Sequence, residues 1–376
     1  MQERVSLPSL PPELWICIHR LAIEDISPHE FLDPVYSTPA TPDQLDDHSV
    51  RRFLKVSLSL VSVCRLWNRL AQELLYENVW LTDTRRWASL SAALQRPDIA
   101  RHVRSLRLST TCYEHNVEAL RYCPQVEVLV QPELPHPELL YAAPSVPLPL
   151  LHSLRHLYWV ESQGSSAILD KVLSAAPNLE HIFLTSPATI IGIRSASTPI
   201  ELPNLPHLKS LVLTWLHMEH AFAILRNDLQ HLTHLTVNLS DFTRDTALSL
   251  PALTSLAFVG LSGPARVPYP TICAHCPALR ELRYNASLFS EPPAAGQTAP
   301  ALTYIQLYLS APRLHRPAYS HFLRFFEAPA FAALERVVLE GFGWAYLARR
   351  VKLGAGPLRA RGCRVEFSAD GDYHPP

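Results

Sequence analysis

The sequence predicts an α/β fold: an N-terminal helical module, then a curved parallel-strand solenoid with helices and loops on the convex side. Three observations lead there. A six-residue pattern, L-x-x-L-x-L, returns repeatedly from about residue 100 onward. Stretches of helical period stand between the copies, and several of them end at proline, which cannot continue a helix. Two amphipathic segments, within residues 9–22 and 54–79, precede the first copy.

The bulk chemistry narrows the function. Of 376 residues, 48% are apolar and 18% charged, which suits a packed chain rather than a disordered one. The net charge of -1 and pI of about 7.0 lack the excess of Lys and Arg that neutralises phosphates, so no nucleic-acid partner is expected. With 34 prolines against 11 glycines, short and abrupt connections are expected. The 7 cysteines, Cys17, Cys64, Cys112, Cys123, Cys273, Cys276 and Cys363, are odd in number and irregularly spaced. The start "MQERVSLPSLPPELW" has no charged-then-apolar targeting pattern. A reduced, intracellular protein of the cytoplasm or nucleus is therefore expected. No apolar run approaches the roughly 18–20 residues that cross a bilayer, so no membrane association is expected.

The first amphipathic segment reads "LPSLPPELWICIHRLA". Ser9 can cap a helix, Pro11 and Pro12 fit its first turn, and Glu13 favours the positive helix end. Leu14, Ile18, Leu21 and Ala22 then share one stripe, with Trp15 at its edge. The second segment, "LKVSLSLVSVCRLWNRLAQELLYENV", places Leu60, Val63, Cys64, Trp67, Leu70, Ala71 and Leu74 at three- and four-residue steps, predicting one helix. Between them, at about residues 25–50, lies a Pro-, Asp-, Ser- and Thr-rich insertion. It carries too little apolar surface to offset its ordering entropy.

These residues carry a resemblance. Leu10-Pro11-Pro12-Glu13-Leu14, Ile18 and Leu21, followed by Val63-Cys64-Arg65-Leu66-Trp67-Asn68-Arg69-Leu70-Ala71, look like the two halves of an F-box, here separated by the insertion. The ending Leu75-Tyr76-Glu77-Asn78-Val79-Trp80-Leu81 is similar to that of many fungal F-box proteins. The resemblance covers about residues 7–81. It implies that Leu10, Pro11, Pro12, Glu13, Leu14, Ile18, Leu21, Val63, Cys64 and Trp67 dock on the small adaptor subunit of a cullin–RING ubiquitin ligase. Physically, two or three short helices cannot cover all their own apolar surface, so a partner or a following domain must do so.

The repeat copies begin at Val103 ("VRSLRL"), Val126 ("VEVLVQ"), Leu154, Leu179, Leu208, Leu232, Leu253, Leu279, Leu302 and Leu334. In each, alternating apolar residues fit a strand with one buried face, and the first apolar residue turns inward just before it. "NVEALRYCP", "SAILDKVLSAAP", "EHAFAILRND" and "YSHFLRFFEAP" read as intervening helices. The spacing resembles irregular leucine-rich repeats of the kind found behind F-boxes, whose units stack because none buries its faces alone. The Asn or Cys of that consensus, three residues after the strand, is absent. Thr111, Ser162, Ser240, Ser287 and Ser310 stand there in about half the copies. "GCRVEF" predicts a last strand. The expected organisation is a module over 1–81, a solenoid over 82–367 and a tail over 368–376.

No catalytic constellation is present. G-x-S-x-G, G-x-x-x-x-G-K and G-x-G-x-x-G are all missing, so the protein is not expected to be an enzyme or to hold a cofactor. His231 with His234, His217 with His220, and Cys273, His275 and Cys276 have metal-like local spacing but no further ligands at zinc-site spacing, so no metal is expected. Cys123-Pro124 and Cys276-Pro277 read instead as buried repeat positions.

The residues between paired strand leucines should line the concave face: Arg107, Val128, Tyr158, Phe183, Val212, Thr236, Ala257, Arg283, Gln306 and Val338. Apolar and aromatic side chains on an exposed strand face suggest a protein-binding patch. The expected function is a substrate-recruiting adaptor of an SCF-type cullin–RING E3 ligase, with an unidentified target protein on that face. The alternative is a non-catalytic leucine-rich-repeat scaffold without a ligase link.

Overall fold

The structure, a computed structural model, describes residues 14, 18, 55–81, 87–109, 113–132, 148–160, 166–185, 203–214, 224–225, 227–238, 249–259, 272, 275–285, 302–309 and 331–368. The chain divides into two compact units, Met1–Tyr158 and Trp159–Pro376. Each is α/β with parallel strands only among the described residues.

In the first unit, a helix over 55–61 leads to α1 (Arg65–Glu77) and directly into strand β1 (Asn78–Trp80). Helices α2 (Trp87–Leu94) and α3 (Pro97–Ala100), strand β2 (Ser105–Arg107), helix α4 (Tyr113–Tyr122) and strand β3 (Val128–Gln131) follow. β4 (His156–Val160) spans the division. β1 pairs with β2 and β2 with β3, both in parallel.

The single helix expected over 54–79 is instead two helices and a strand. Ser62 and Val63 form a turn, and Cys64 takes an extended conformation (φ -160°, ψ 170°) that cannot continue a helix. Side chains stabilise the break. Ser59 Oγ donates to the Lys55 carbonyl at 2.8 Å, Ser62 Oγ to the Ser59 carbonyl at 2.8 Å, and Asn68 Nδ2 to the Val61 carbonyl at 3.2 Å. Cys64 Sγ caps α1 by accepting from the Trp67 amide at 3.5 Å. The expected stripe is thus interrupted: Ala71 and Leu74 are buried, with Val56 and Leu60 packed against Leu74, while Val63 and Cys64 are exposed.

The second unit contains α5 (Ser166–Ala175) and the strands β5 (His181–Thr185), β6 (Ser210–Thr214), β7 (His234–Asn238), β8 (Ser255–Val259), β9 (Glu281–Asn285), β10 (Tyr304–Tyr308) and β11 (Arg336–Glu340). Helices α6 (Phe342–Gly354) and α7 (Gly356–Ala360) and strand β12 (Arg364–Ser368) complete it. From β5 to β12 each strand pairs with the next in chain order, in parallel. The helices expected from "NVEALRYCP" and "SAILDKVLSAAP" are α4 and α5, and the strand expected from "GCRVEF" is β12. Ile224 and Leu225 of "EHAFAILRND" are helical. "YSHFLRFFEAP", Thr111, Ser162, Ser240, Ser287, Ser310 and the tail from 369 lie outside the described residues.

Two backbone devices recur. In the first, the carbonyl of a copy's second residue accepts two consecutive amides from the next copy, in most of the copies. Arg104 O takes Glu127 and Val128, Glu180 O takes Lys209 and Ser210, and Thr254 O takes Arg280 and Glu281, at 2.7–3.0 Å. In the second, the amide of the copy's first apolar residue returns to a carbonyl three residues earlier: Val126 to Cys123, Leu232 to Leu229, Leu253 to Leu250, Leu279 to Cys276 and Leu334 to Phe331. The accepting residues are all buried, which makes this a further apolar repeat position. Cys123 and Cys276 occupy it where other copies place Ala, Leu or Phe.

Asn116 on α4 serves the end of β2. Its Oδ1 accepts from the Ser109 amide at 2.7 Å and its Nδ2 donates to the Ser109 carbonyl at 2.9 Å, both groups being buried. Near the end of the second unit, the buried Trp344 donates Nε1–H to the Leu307 carbonyl at 3.0 Å. Gly341 precedes α6 with φ 98°, and a Cβ there would stand 2.7 Å from the Leu309 carbonyl oxygen.

Two stability outcomes follow from this packing. Leu282→Ala, at a fully buried strand position, should cost about 2–5 kcal/mol, read as a lower urea midpoint with unchanged slope. Gly341→Ala should cost about 1 kcal/mol or more, whereas Gly356→Ala, where a Cβ meets nothing within 4 Å, should be neutral or stabilising by about 0.4–1 kcal/mol.

Candidate interaction surfaces

The first surface belongs to the N-terminal unit. Leu14 and Ile18 are both helical and remain 48% and 42% exposed. One helical turn separates them, so they lie on the same face. Leu58, Val63 and Leu66 are 56%, 56% and 40% exposed. These five account for all but one of the large exposed apolar side chains among the described residues, the sixth being Leu150. Cys64 is exposed and Trp67 half-buried. Leu10, Pro11, Pro12, Glu13 and Leu21 lie outside the described residues. Leu58 and Leu66 are additions to the expected set. The periodicity of the sequence carries no signal for them, because the break at Ser62-Val63 that turns the second half of the segment relative to the first is seen only in the structure.

The second surface is a row of strand residues in register. In the second unit Phe183, Val212, Thr236, Ala257, Arg283, Gln306 and Val338 are successive Cα partners, and Glu366 on β12 extends the row. Every one of these except Glu366 was expected from the repeat alignment. In the first unit the corresponding row is Trp80, Arg107 and Val130. Val128, assigned to it from sequence, pairs instead with Ser105, two residues away. The copy "VEVLVQ" is apolar at Val126, Val128, Leu129 and Val130, so alternation alone cannot set its phase. Trp80 was missed because "NVWL" reads as the end of the helical module. Tyr158 stands on β4 and is half-buried.

Exposure along the row is uneven. Phe183 and Val338 retain 5% and 7%, so neither is an open contact residue. Val212, Thr236, Ala257, Arg283 and Gln306 are half-buried.

The charges of this face are largely paired. Arg107 stacks its guanidinium on the Trp80 ring, 4.8 Å from the centroid. Tyr304 lies between Arg283 and Arg336, whose guanidinium carbons stand 5.8 and 5.6 Å from its centroid. Its hydroxyl donates to Gln306 Oε1 at 3.2 Å, and Gln306 Nε2 donates to the Glu340 carboxylate. Arg336 donates from Nε and Nη2 to Glu366 at 3.1 and 2.7 Å, while Arg283 Nη2 lies 3.8 Å from Glu281. Burial raises the phenols of Tyr304 and Tyr308 above the ordinary range and pushes Tyr158 up to about 12, so all three stay neutral near pH 7.

Nothing in this arrangement forms a nucleophile–base–orienter set. Among the described residues no group of three His, Cys, Asp or Glu is placed to hold a metal ion. His234 begins β7 rather than flanking it. It is half-buried, pairs its Nδ1 with Thr233 Oγ1 at 2.8 Å, and burial lowers its pKa. His231 is exposed, whereas His217, His220 and Cys273 lie outside the described residues. His275 is half-buried and Cys276 fully buried. No described helix is long and apolar enough to cross a membrane. The chain matches no protein-family model and no curated protein.

The thiols separate by environment. Burial pushes Cys123 up to about 12 and raises Cys363 despite the opposing field of Arg361, so both are protonated and shielded at neutral pH. Brief iodoacetamide treatment of the folded chain should therefore label Cys64 and spare Cys123, Cys276 and Cys363. Peptide mass mapping before and after denaturation checks this.

Proposed function

We propose that the chain is the substrate-recruiting adaptor subunit of an SCF-type cullin–RING E3 ubiquitin ligase. The N-terminal F-box-like helices dock on the small adaptor subunit, and a leucine-rich-repeat solenoid holds a target protein. The observation that carries this reading is the exposure of Leu14 and Ile18, two positions that the F-box resemblance assigns to adaptor binding, together with Val63 of the second half. Fully burying a side chain of this size is worth about 1.5–3 kcal/mol. Five such residues, each roughly half-exposed, leave about 4–7 kcal/mol to be gained on a partner. Association costs about 4–15 kcal/mol, so these five alone do not hold a partner firmly. Leu10, Pro11, Pro12, Glu13 and Leu21 complete the docking set in this reading.

The protein itself performs no bond chemistry in this role. It raises the effective concentration of target lysines near the ubiquitin carried by the ligase. The parallel strands in chain order support the repeat assignment, and the half-buried row from Val212 to Gln306 is where a target protein would lie. The role belongs to the cytoplasm or nucleus and uses no nucleic acid, membrane, metal or cofactor.

One observation favours the alternative scaffold role. α1 runs without a break into β1, which pairs with β2, so the module also covers the start of the first unit's strands. Removing residues 1–81 would strip β1 from β2 under either reading and cannot separate them. Point substitutions can. Leu14→Asp combined with Leu66→Asp should leave the melting temperature within about 2 °C of the parent, because both sites are exposed. The same change should abolish pull-down of the ligase's small adaptor subunit. Adaptor binding should also slow alkylation of Cys64. Undiminished pull-down by the double variant would defeat the ligase assignment and leave the scaffold.

A further inference from the structure

We infer that the outer edge of β12 is a docking site for an extended, acidic peptide segment of a partner protein, added as a further parallel strand. The inference does not rest on the ligase reading. Arg364 donates its amide to the Glu335 carbonyl at 2.8 Å, so it faces β11. Backbone groups alternate sides along a strand, which turns the N–H and C=O of Val365 and Phe367 away from β11. Among the described residues no strand lies on that side: β12 pairs with β11 and ends the strand order.

The side chains show the same incompleteness. Val337 and Leu339 on β11 are 0% and 1% exposed, whereas their register partners Val365 and Phe367 are only half-buried. A repeat position that is sealed elsewhere is open here. A next strand, carrying an apolar residue at alternate positions, would close it.

Charge selects the occupant. From Gly341 to Val365 the chain has no Asp or Glu, yet carries Arg349, Arg350, Lys352, Arg359, Arg361 and Arg364. All six are exposed, and they sit on or beside α6, α7 and β12, with both helices packed against that strand. Arg359 donates to the Lys352 carbonyl at 3.2 Å, which ties the two helix ends together. The chain as a whole is at -1, so this is a local concentration of positive charge.

A five-residue strand spans about 17 Å, a short reach that suits a peptide rather than a long nucleic acid. Glu335 just before β11, Glu340 on β11 and Glu366 on β12 border the cations and would repel a polyanion running further along the strands. Nucleic acid also lacks the amide–carbonyl ladder that the Val365 and Phe367 backbone can pair.

Fluorescence anisotropy on the full chain tests this, using a labelled eight-residue peptide of alternating Glu and Val. Saturable binding that weakens with salt is expected, with none for the Lys–Val counterpart. Arg361→Glu with Arg364→Glu should weaken binding about tenfold or more, and circular dichroism should show an unchanged fold. Methylating alternate amides of the Glu–Val peptide, on whichever edge is needed for pairing, should weaken it similarly without touching the protein. Absence of saturable binding overturns the inference. So does equal binding of an oligothymidylate and of both N-methylated peptides, which would show attraction by charge alone.

Discussion

The structure depends on backbone pairing between copies. A strand of five residues has amides on two edges, and it can satisfy them only through neighbours on both sides. In most copies the second-residue carbonyl receives two amides of the next, which fixes the stacking at one point in those repeats. The same stacking seals the leucines. Leu211, Leu235, Leu256, Leu282 and Ile305 have essentially no exposure because register holds each one between its two neighbours. Such an array is stable through nearest-neighbour terms, so its weak points are its ends.

The ends are also where the chemistry is most distinctive. At β1, helix α1 covers apolar surface through Ala71 and Leu74 yet leaves Leu66 and Val63 outward. At β12, α6 and α7 bury Trp344, Leu347, Val351 and Leu358 but leave Val365 and Phe367 partly open. Both places have apolar side chains that remain half-buried or exposed among the described residues. They differ in electrostatics: the N-terminal set is dominated by aliphatic side chains, while the C-terminal one is surrounded by cations.

Most of the strand architecture could be read from the sequence because the repeat signal is redundant. Nine copies share the phase of their apolar residues, so an error in one is corrected by the others. The tenth, at Val126, shows what happens without that contrast: four apolar residues in five positions leave the phase open, and Val128 was placed on the wrong row. β1 escaped notice because a three-residue strand has too few alternations to register. The break at Ser62 is hidden in the sequence because helical periodicity survives on either side of it; the extended backbone of Cys64 and the side-chain hydrogen bonds of Ser59, Ser62 and Asn68 mark it in the structure. Burial was the least accessible property. Phe183 and Val212 occupy equivalent slots with the same apolar character, yet the first is buried and the second half-exposed. No one-dimensional pattern distinguishes them.

The pairing of charges on the strand face bears on how a target could be held there. Arg336 with Glu366, Arg283 with Glu281, and Gln306 with Glu340 already answer one another. A charged target residue would have to displace an existing partner, and exposed or half-exposed pairs of this kind are worth only about 0–1 kcal/mol each. Exchange is therefore cheap but gains little. Net attraction on this face must come from neutral contacts, at Val212, Thr236, Ala257 and the Tyr304 ring, whose phenol burial keeps uncharged. Such contacts are insensitive to salt. The cations from Arg349 to Arg364, with no carboxylate between them in the sequence, act in the opposite way: over a Debye length of about 8 Å at physiological ionic strength their fields add before they are screened. Ionic strength thus separates the two surfaces, leaving a ligand of the strand face in place while releasing one held at the end of the strands.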